Sequence, residues 1–170
     1  MGFNTPRSQA PPGNDVNEVI IANCMGAAVK GAFDRRKSLQ ELENCDWGEA
    51  SYSSYLVGTC HQLRRKPLVE FTVEDLRIMI GQQISLPILV PLAVEALENN
   101  PLAEGDFYAG DLLSAVLKIQ NAFWIDHPAS SQRMRVVVRN LREMMPSIAE
   151  ADRSTVERLL QESAQSLLLQ

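Results

Sequence analysis

The chain predicts an all-α fold, a helical bundle of about seven or eight helices with short connections. Three observations carry that expectation. Apolar residues recur at helical spacing, as in Val73, Leu76, Ile80 and Ile84. Cap signals and prolines divide the chain into segments of helix length. Alternation with a period of two is scarce. The β-branched run Val136-Val137-Val138 lies among Arg133, Arg135, Arg139 and Arg142 and fits an amphipathic helix better than a strand.

Residues 1–14 hold three prolines, Gly13 and little that could enter a core, which predicts a disordered tail. Asp15 can cap a helix through roughly residue 33, with Val16, Val19, Ile20, Cys24, Ala27 and Ala28 near one face. Its Ala- and Gly-rich content predicts weak docking, and Arg35-Arg36-Lys37 suits a helix C-terminus. Residues 1–37 therefore read as a tail plus a weakly docked helix, and 38–170 as the helical domain. Ser38 and Glu41 form a capping box that opens a short helix to about Asn44. Trp47 to Ser54 reads as a loop that pins Trp47 to the core. A helix is expected from Tyr52 to Arg64, stopped by Pro67. Thr72 to Asp75 is another cap signal, ahead of the apolar stripe that ends at Ile84. Pro87 is tolerated in the first turn of the next helix, whereas Pro91 removes an intrahelical bond before that helix ends near Glu98. Asp111 is the expected N-cap of a helix from Leu112 to Phe123. Two more helices follow, from Ser130 or Ser131 to Met144 and from Asp152 or Ser154 to about Leu168.

Length and composition narrow the function. At 170 residues, 45% hydrophobic and 22% charged, the chain can bury a core without disulfides or metal. A net charge of −5 argues against nucleic acid as the main ligand. Cys24, Cys45 and Cys60 contain no CxxC pair, and two histidines cannot complete a zinc cluster, so no metal and no cofactor are expected. Free thiols in a reducing cytoplasm are the expectation. No apolar run approaches the roughly 18–20 residues of a membrane span. Val19 to Phe33 lacks the charged lead-in of a signal peptide, so the protein reads as cytoplasmic with no membrane partner.

Catalytic patterns are equally thin. Cys60 and His61 are helix neighbours that point about 100° apart and cannot form a dyad. No P-loop, dinucleotide motif or HExxH is present. Asp106 and Asp111 are the one carboxylate pair beside aromatics, but Asp111 has a capping role to fill. No catalytic residue is assigned. Charge, by contrast, is strongly partitioned: residues 1–37 carry +2, 38–111 carry −8 and 112–170 carry +1. Glu95, Glu98, Glu104, Asp106 and Asp111 succeed one another with no Lys or Arg between them. Such a field suits a basic protein partner.

A series of segments spans Ser38 to Trp124. Ser38-Leu39-Gln40-Glu41-Leu42-Glu43, Trp47, Leu63-Arg64-Arg65-Lys66-Pro67-Leu68 and Thr72-Val73-Glu74-Asp75-Leu76-Arg77 lead it. Ile80-Gly81-Gln82-Gln83-Ile84, Leu89-Val90-Pro91-Leu92-Ala93, Asn100-Pro101-Leu102 and Gly105-Asp106-Phe107-Tyr108-Ala109-Gly110-Asp111-Leu112-Leu113 complete it. The series resembles the immunity proteins of contact-dependent growth inhibition systems. That resemblance implies a bacterial cytoplasmic protein, not an enzyme, that binds and blocks the C-terminal toxin domain of a cognate surface effector. It implies a basic toxin, a nuclease in many systems. The chain departs from the pattern before Ser38. Gly81, Pro91 and Gly110 read as backbone-geometry positions, and Trp47 and Trp124 as anchors. The side chains expected to touch the toxin are Glu98, Glu104, Asp106, Phe107 and Tyr108. A small acidic helical adaptor of another pathway would use the same surface.

Overall fold

A computed structural model describes residues 33–48 and 54–165. Eight α-helices follow one another there: α1 (Leu39–Glu43), α2 (Tyr55–Arg65), α3 (Val73–Gly81), α4 (Leu86–Asn99), α5 (Asp111–Leu117), α6 (Asn121–Asp126), α7 (Pro128–Met144) and α8 (Glu150–Gln165). The described residues contain no strand, only an isolated bridge between Ser38 and Pro67. The all-α expectation holds. The predicted tail and first helix through residue 32, residues 49–53 of the Trp47–Ser54 loop and the predicted helix end at Leu168 lie outside the described residues. No described helix is long and apolar enough to cross a membrane.

Local chemistry sets most helix ends. Both predicted caps are complete capping boxes. Glu41 N donates to Ser38 Oγ at 3.3 Å while Ser38 N donates to the Glu41 carboxylate at 2.8 Å. Thr72 and Asp75 repeat the arrangement at α3. α3 closes with Ile84 N on Met79 O at 3.0 Å and Gln83 N on Ile80 O at 2.9 Å, a Schellman motif with Gln83 at φ +58°. Pro91 does sit inside α4. Its missing N–H orphans the carbonyl of Pro87, one turn earlier, and Pro87 is solvent-exposed, so water can take that bond.

α4 and α5 form the centre. α4 meets α3, α5 and α7, and α5 meets α3, α4 and α8. Ile88, Leu89, Val90, Ala93, Val94 and Leu97 of α4 are buried, and so is every residue of α5. The helix expected over Leu112–Phe123 is in fact two. α5 ends at Leu117, Gln120 is extended at φ −60°, ψ 143°, and α6 begins at Asn121. A helix buried on all sides cannot continue through polar residues. The break turns Lys118, Gln120 and Asn121 outward while Ile119 and Trp124, which a straight helix would aim about 140° apart, both reach the core.

Cations at a helix end suit the dipole, yet Arg64 is 2% exposed and serves as a clamp. It pairs with Glu43, donates to Cys45 O at 2.9 Å and Ser85 Oγ at 3.3 Å, and stacks 4.2 Å from the Trp47 ring centroid. Cys60 is free, and burial pushes its thiol up to about 11, which favours the protonated form at neutral pH. His61 turns instead to Gly48 O at 3.2 Å and to the edge of Trp47.

Candidate functional site

The eleven-residue connection from α4 to α5, Asn100 to Gly110, is built to hold one shape. Asn100 starts it with a side-chain turn, Leu102 N donating to Asn100 Oδ1 at 3.0 Å. Pro101 and Ala103 are buried, and Gly110 N closes back on Leu102 O at 3.2 Å. Gly110 lies at φ +89°, and a Cβ there would stand 2.7 Å from Leu159 Cδ1. The backbone-geometry reading of Gly110 therefore holds twice over. Gly105 is a glycine for a different reason: a Cβ would collide with the Glu74 carboxylate and lie 3.3 Å from Glu74 Cα.

Three charged groups under the loop fix its tip. Asp111 was expected to cap α5, but the N-cap is Gly110, with no side-chain bond, and Asp111 is the first helical residue. Its buried carboxylate accepts from Gly105 N at 2.8 Å and Phe107 N at 3.2 Å, and stands 3.8 Å from Arg77 Nε. Glu74 accepts from Asp106 N at 3.1 Å and takes both arms of Arg77 at 2.6 Å. The Arg77 guanidinium lies 4.4 Å from the Phe107 ring centroid. Asp111 is thus occupied as an internal acceptor. The sequence reading missed Glu74 and Arg77; their i,i+3 spacing on α3 was the available signal.

The expected contact residues separate into two sets. Glu104 and Asp106 are exposed, and no ion pair engages either among the described residues. Phe107 is 68% exposed. Tyr108 is half-buried, with the Arg158 guanidinium 5.3 Å from its ring centroid. Glu98 is exposed but pairs with Arg133 at 2.6 Å, and Glu95 pairs likewise with Arg35. The acidic run read from the sequence is thereby divided, and the loop brings Glu104, Asp106, Phe107 and Tyr108 together while Glu98 stands at the end of α4.

The family model for CDI immunity proteins matches residues 41–134. The chain belongs to that family. No curated protein matches it. The match runs from α1 into α7 and contains the whole loop with its supports Glu74, Arg77 and Asp111, but not Arg158. A CDI immunity protein has a cognate toxin as its partner, so surfaces for protein binding are what this molecule must present. Among the described residues, no group of His, Cys, Asp or Glu could hold a metal ion.

The supports of the loop carry a pH dependence. Hydrogen bonding from Arg77 holds the Glu74 carboxyl below its ordinary value of 4.5. A depressed folded value means that Glu74 stabilises the fold above pH 4.5 and that this contribution is lost as pH falls further. The Asp106 amide, which donates to Glu74, is expected to keep its NMR shift from pH 7 to about 5 and to move below 4.5. Glu74→Gln should shrink that movement.

Proposed function

We propose that this CDI immunity protein neutralises the C-terminal toxin domain of its cognate effector in the cytoplasm by docking the α4–α5 loop onto it. The toxin is a basic domain, in keeping with a nuclease. One observation carries the reading. The loop is tied down from beneath by Asp111, Glu74 and Arg77, while Glu104, Asp106 and the ring of Phe107 face solvent. A preorganised surface loses little entropy on binding. Glu104 and Asp106 attract toxin Lys or Arg, and Phe107 fills a toxin pocket as the central anchor. Glu98 and Tyr108 complete the surface at its rim: Glu98 exchanges Arg133 for a toxin cation, and Tyr108 offers the ring face that Arg158 leaves open. Inhibition by binding needs no residue in a catalytic role.

The roles of charge and ring are separable by kinetics. The double variant Glu104→Gln/Asp106→Asn should slow association with the toxin domain by about 3- to 10-fold at low ionic strength, with the difference shrinking at high salt. Phe107→Ala should leave association nearly unchanged and speed dissociation by about 30-fold, the equivalent of ~2 kcal/mol for a hot-spot ring. Stopped-flow association and surface-based dissociation rates read both. An association rate equal to that of the parent at low salt, in the double variant, would remove the loop acids from the interface. Growth rescue on co-expression with the toxin domain tests the immunity role itself.

A further inference from the structure

We infer that Arg158 of α8 is a positioning residue for toxin recognition: it holds the ring of Tyr108, so that the second half of the α4–α5 loop meets the toxin in one orientation. The inference rests on the docking role proposed for that loop.

The two halves of the loop are braced by different parts of the fold. Asp111, Glu74 and Arg77 hold Gly105 to Phe107. From Tyr108 onward the neighbour is α8, whose Leu159 lies close against Gly110. One residue before Leu159, the Arg158 guanidinium stands 5.3 Å from the Tyr108 ring centroid, within cation–π range. Arg158 is itself anchored, donating from Nη1 to Glu162 Oε1 at 2.8 Å one helical turn on. Glu162 in turn accepts from Ser114 Oγ at 3.5 Å. Asp111 and Ser114 are the two polar residues of the wholly buried α5, and at three positions apart they share a side of it. Asp111 serves the first half of the loop, and Ser114 joins the cluster beside the second. The phenol reports the same neighbours. Burial pushes Tyr108 up, but hydrogen bonding with Ser114 and Arg158, with the charges of Arg158 and Lys118, outweighs it and holds the group below its ordinary value of 10. A ring that is already ordered when the toxin arrives spares the cost of immobilising one side chain, a factor of about 2 to 10 in affinity. α8 lies beyond the residues matched to the family, so a part of this chain outside that match orients the loop's second half.

The test measures dissociation of the cognate toxin domain from the full chain carrying Arg158→Met, Tyr108→Ala or both. Arg158→Met should speed dissociation by about 2- to 10-fold. That effect should vanish once residue 108 is alanine, because Arg158 acts through the ring. In the free protein, Arg158→Met should raise the titration of the Tyr108 phenol, followed by NMR of isotope-labelled tyrosine and assigned with Tyr108→Phe. Urea unfolding of Arg158→Met should stay close to the parent, since an exposed pair contributes little to stability. A general loss of stability would move that midpoint and would not depend on Tyr108. A parent dissociation rate or an unmoved phenol titration in Arg158→Met overturns the inference. So does an equal loss in the Tyr108→Ala background, which would mean that Arg158 touches the toxin itself. Phe107→Ala run alongside separates the two readings. If it speeds dissociation and Arg158→Met does not, the inference alone fails. If neither does, the loop reading fails and the inference falls with it.

Discussion

Arg64→Met is expected to destabilise the fold by about 3–5 kcal/mol, the range for removing one partner of a buried ion pair. Arg64 is the one charged side chain among the largest fully buried groups of the described residues. It joins four pieces of chain: Glu43 at the end of α1, Cys45 and Trp47 in the segment after it, α2 itself, and Ser85 at the head of α4. Methionine fills much of the volume but satisfies none of the acceptors. Glu43, whose side chain is 13% exposed, is left charged and unpaired. Replacing both partners should therefore recover much of the loss, because a buried pair exchanged for apolar groups is often neutral. Arg64→Lys should remain damaging, since one ammonium cannot serve Glu43, Cys45 O and Ser85 Oγ in the geometry of a planar fork. Urea unfolding with an unchanged slope reads all three variants. A loss under about 1 kcal/mol for Arg64→Met would mean that these four pieces hold together without it.

Asp111→Asn should cost about 2–3 kcal/mol and loosen the α4–α5 loop, although the substitution is nearly isosteric. The carboxylate accepts from two backbone N–H groups with its two oxygens, and hydrogen bonds to a charged group contribute about 1.5–3 kcal/mol each. An amide keeps one acceptor and turns its NH2 toward the other N–H, donor against donor. It also removes the charge that faces Arg77. Hydrogen exchange of the Gly105 and Phe107 amides should quicken, and toxin affinity should fall without any Asp111 contact to the toxin. That fall should persist at high salt, unlike the effect of Glu104→Gln/Asp106→Asn, because it comes from lost preorganisation rather than lost attraction. Normal protection of both amides in Asp111→Asn would show that the loop holds its shape by other means.

The elements legible in the sequence share a physical basis. Ser38 with Glu41, Thr72 with Asp75, and Pro67 after Lys66 act over three or four residues, so their geometry is written in the local order of side chains. The proposed contact residues Glu104, Asp106, Phe107 and Tyr108 were legible as a loop between two helices for the same reason. Their supports were not. Glu74 lies 32 residues from Asp106, and Arg133 lies 35 from Glu98. The acid run looked uniform in sequence because like charges that neighbour one another along the chain can meet quite different partners in space. Gly81 and Gly110 looked alike as glycines, and only their surroundings separate one that the fold needs from one that it does not.

By itself the sequence determined the helical class, the cap positions, the membership suggested by its ordered segments and the place of the acidic loop. These rest on periodicity and short-range hydrogen bonding, which survive in any compact arrangement of the chain. The tertiary structure alone decided that Arg64 is a core clamp, that Asp111 braces the loop instead of capping α5, that the helix after it breaks at Lys118–Gln120, and which acids remain unpaired. Each of those outcomes depends on which distant group arrives to compete with water for a charge or a backbone N–H, and that is set by how α3, α4, α5, α7 and α8 come together.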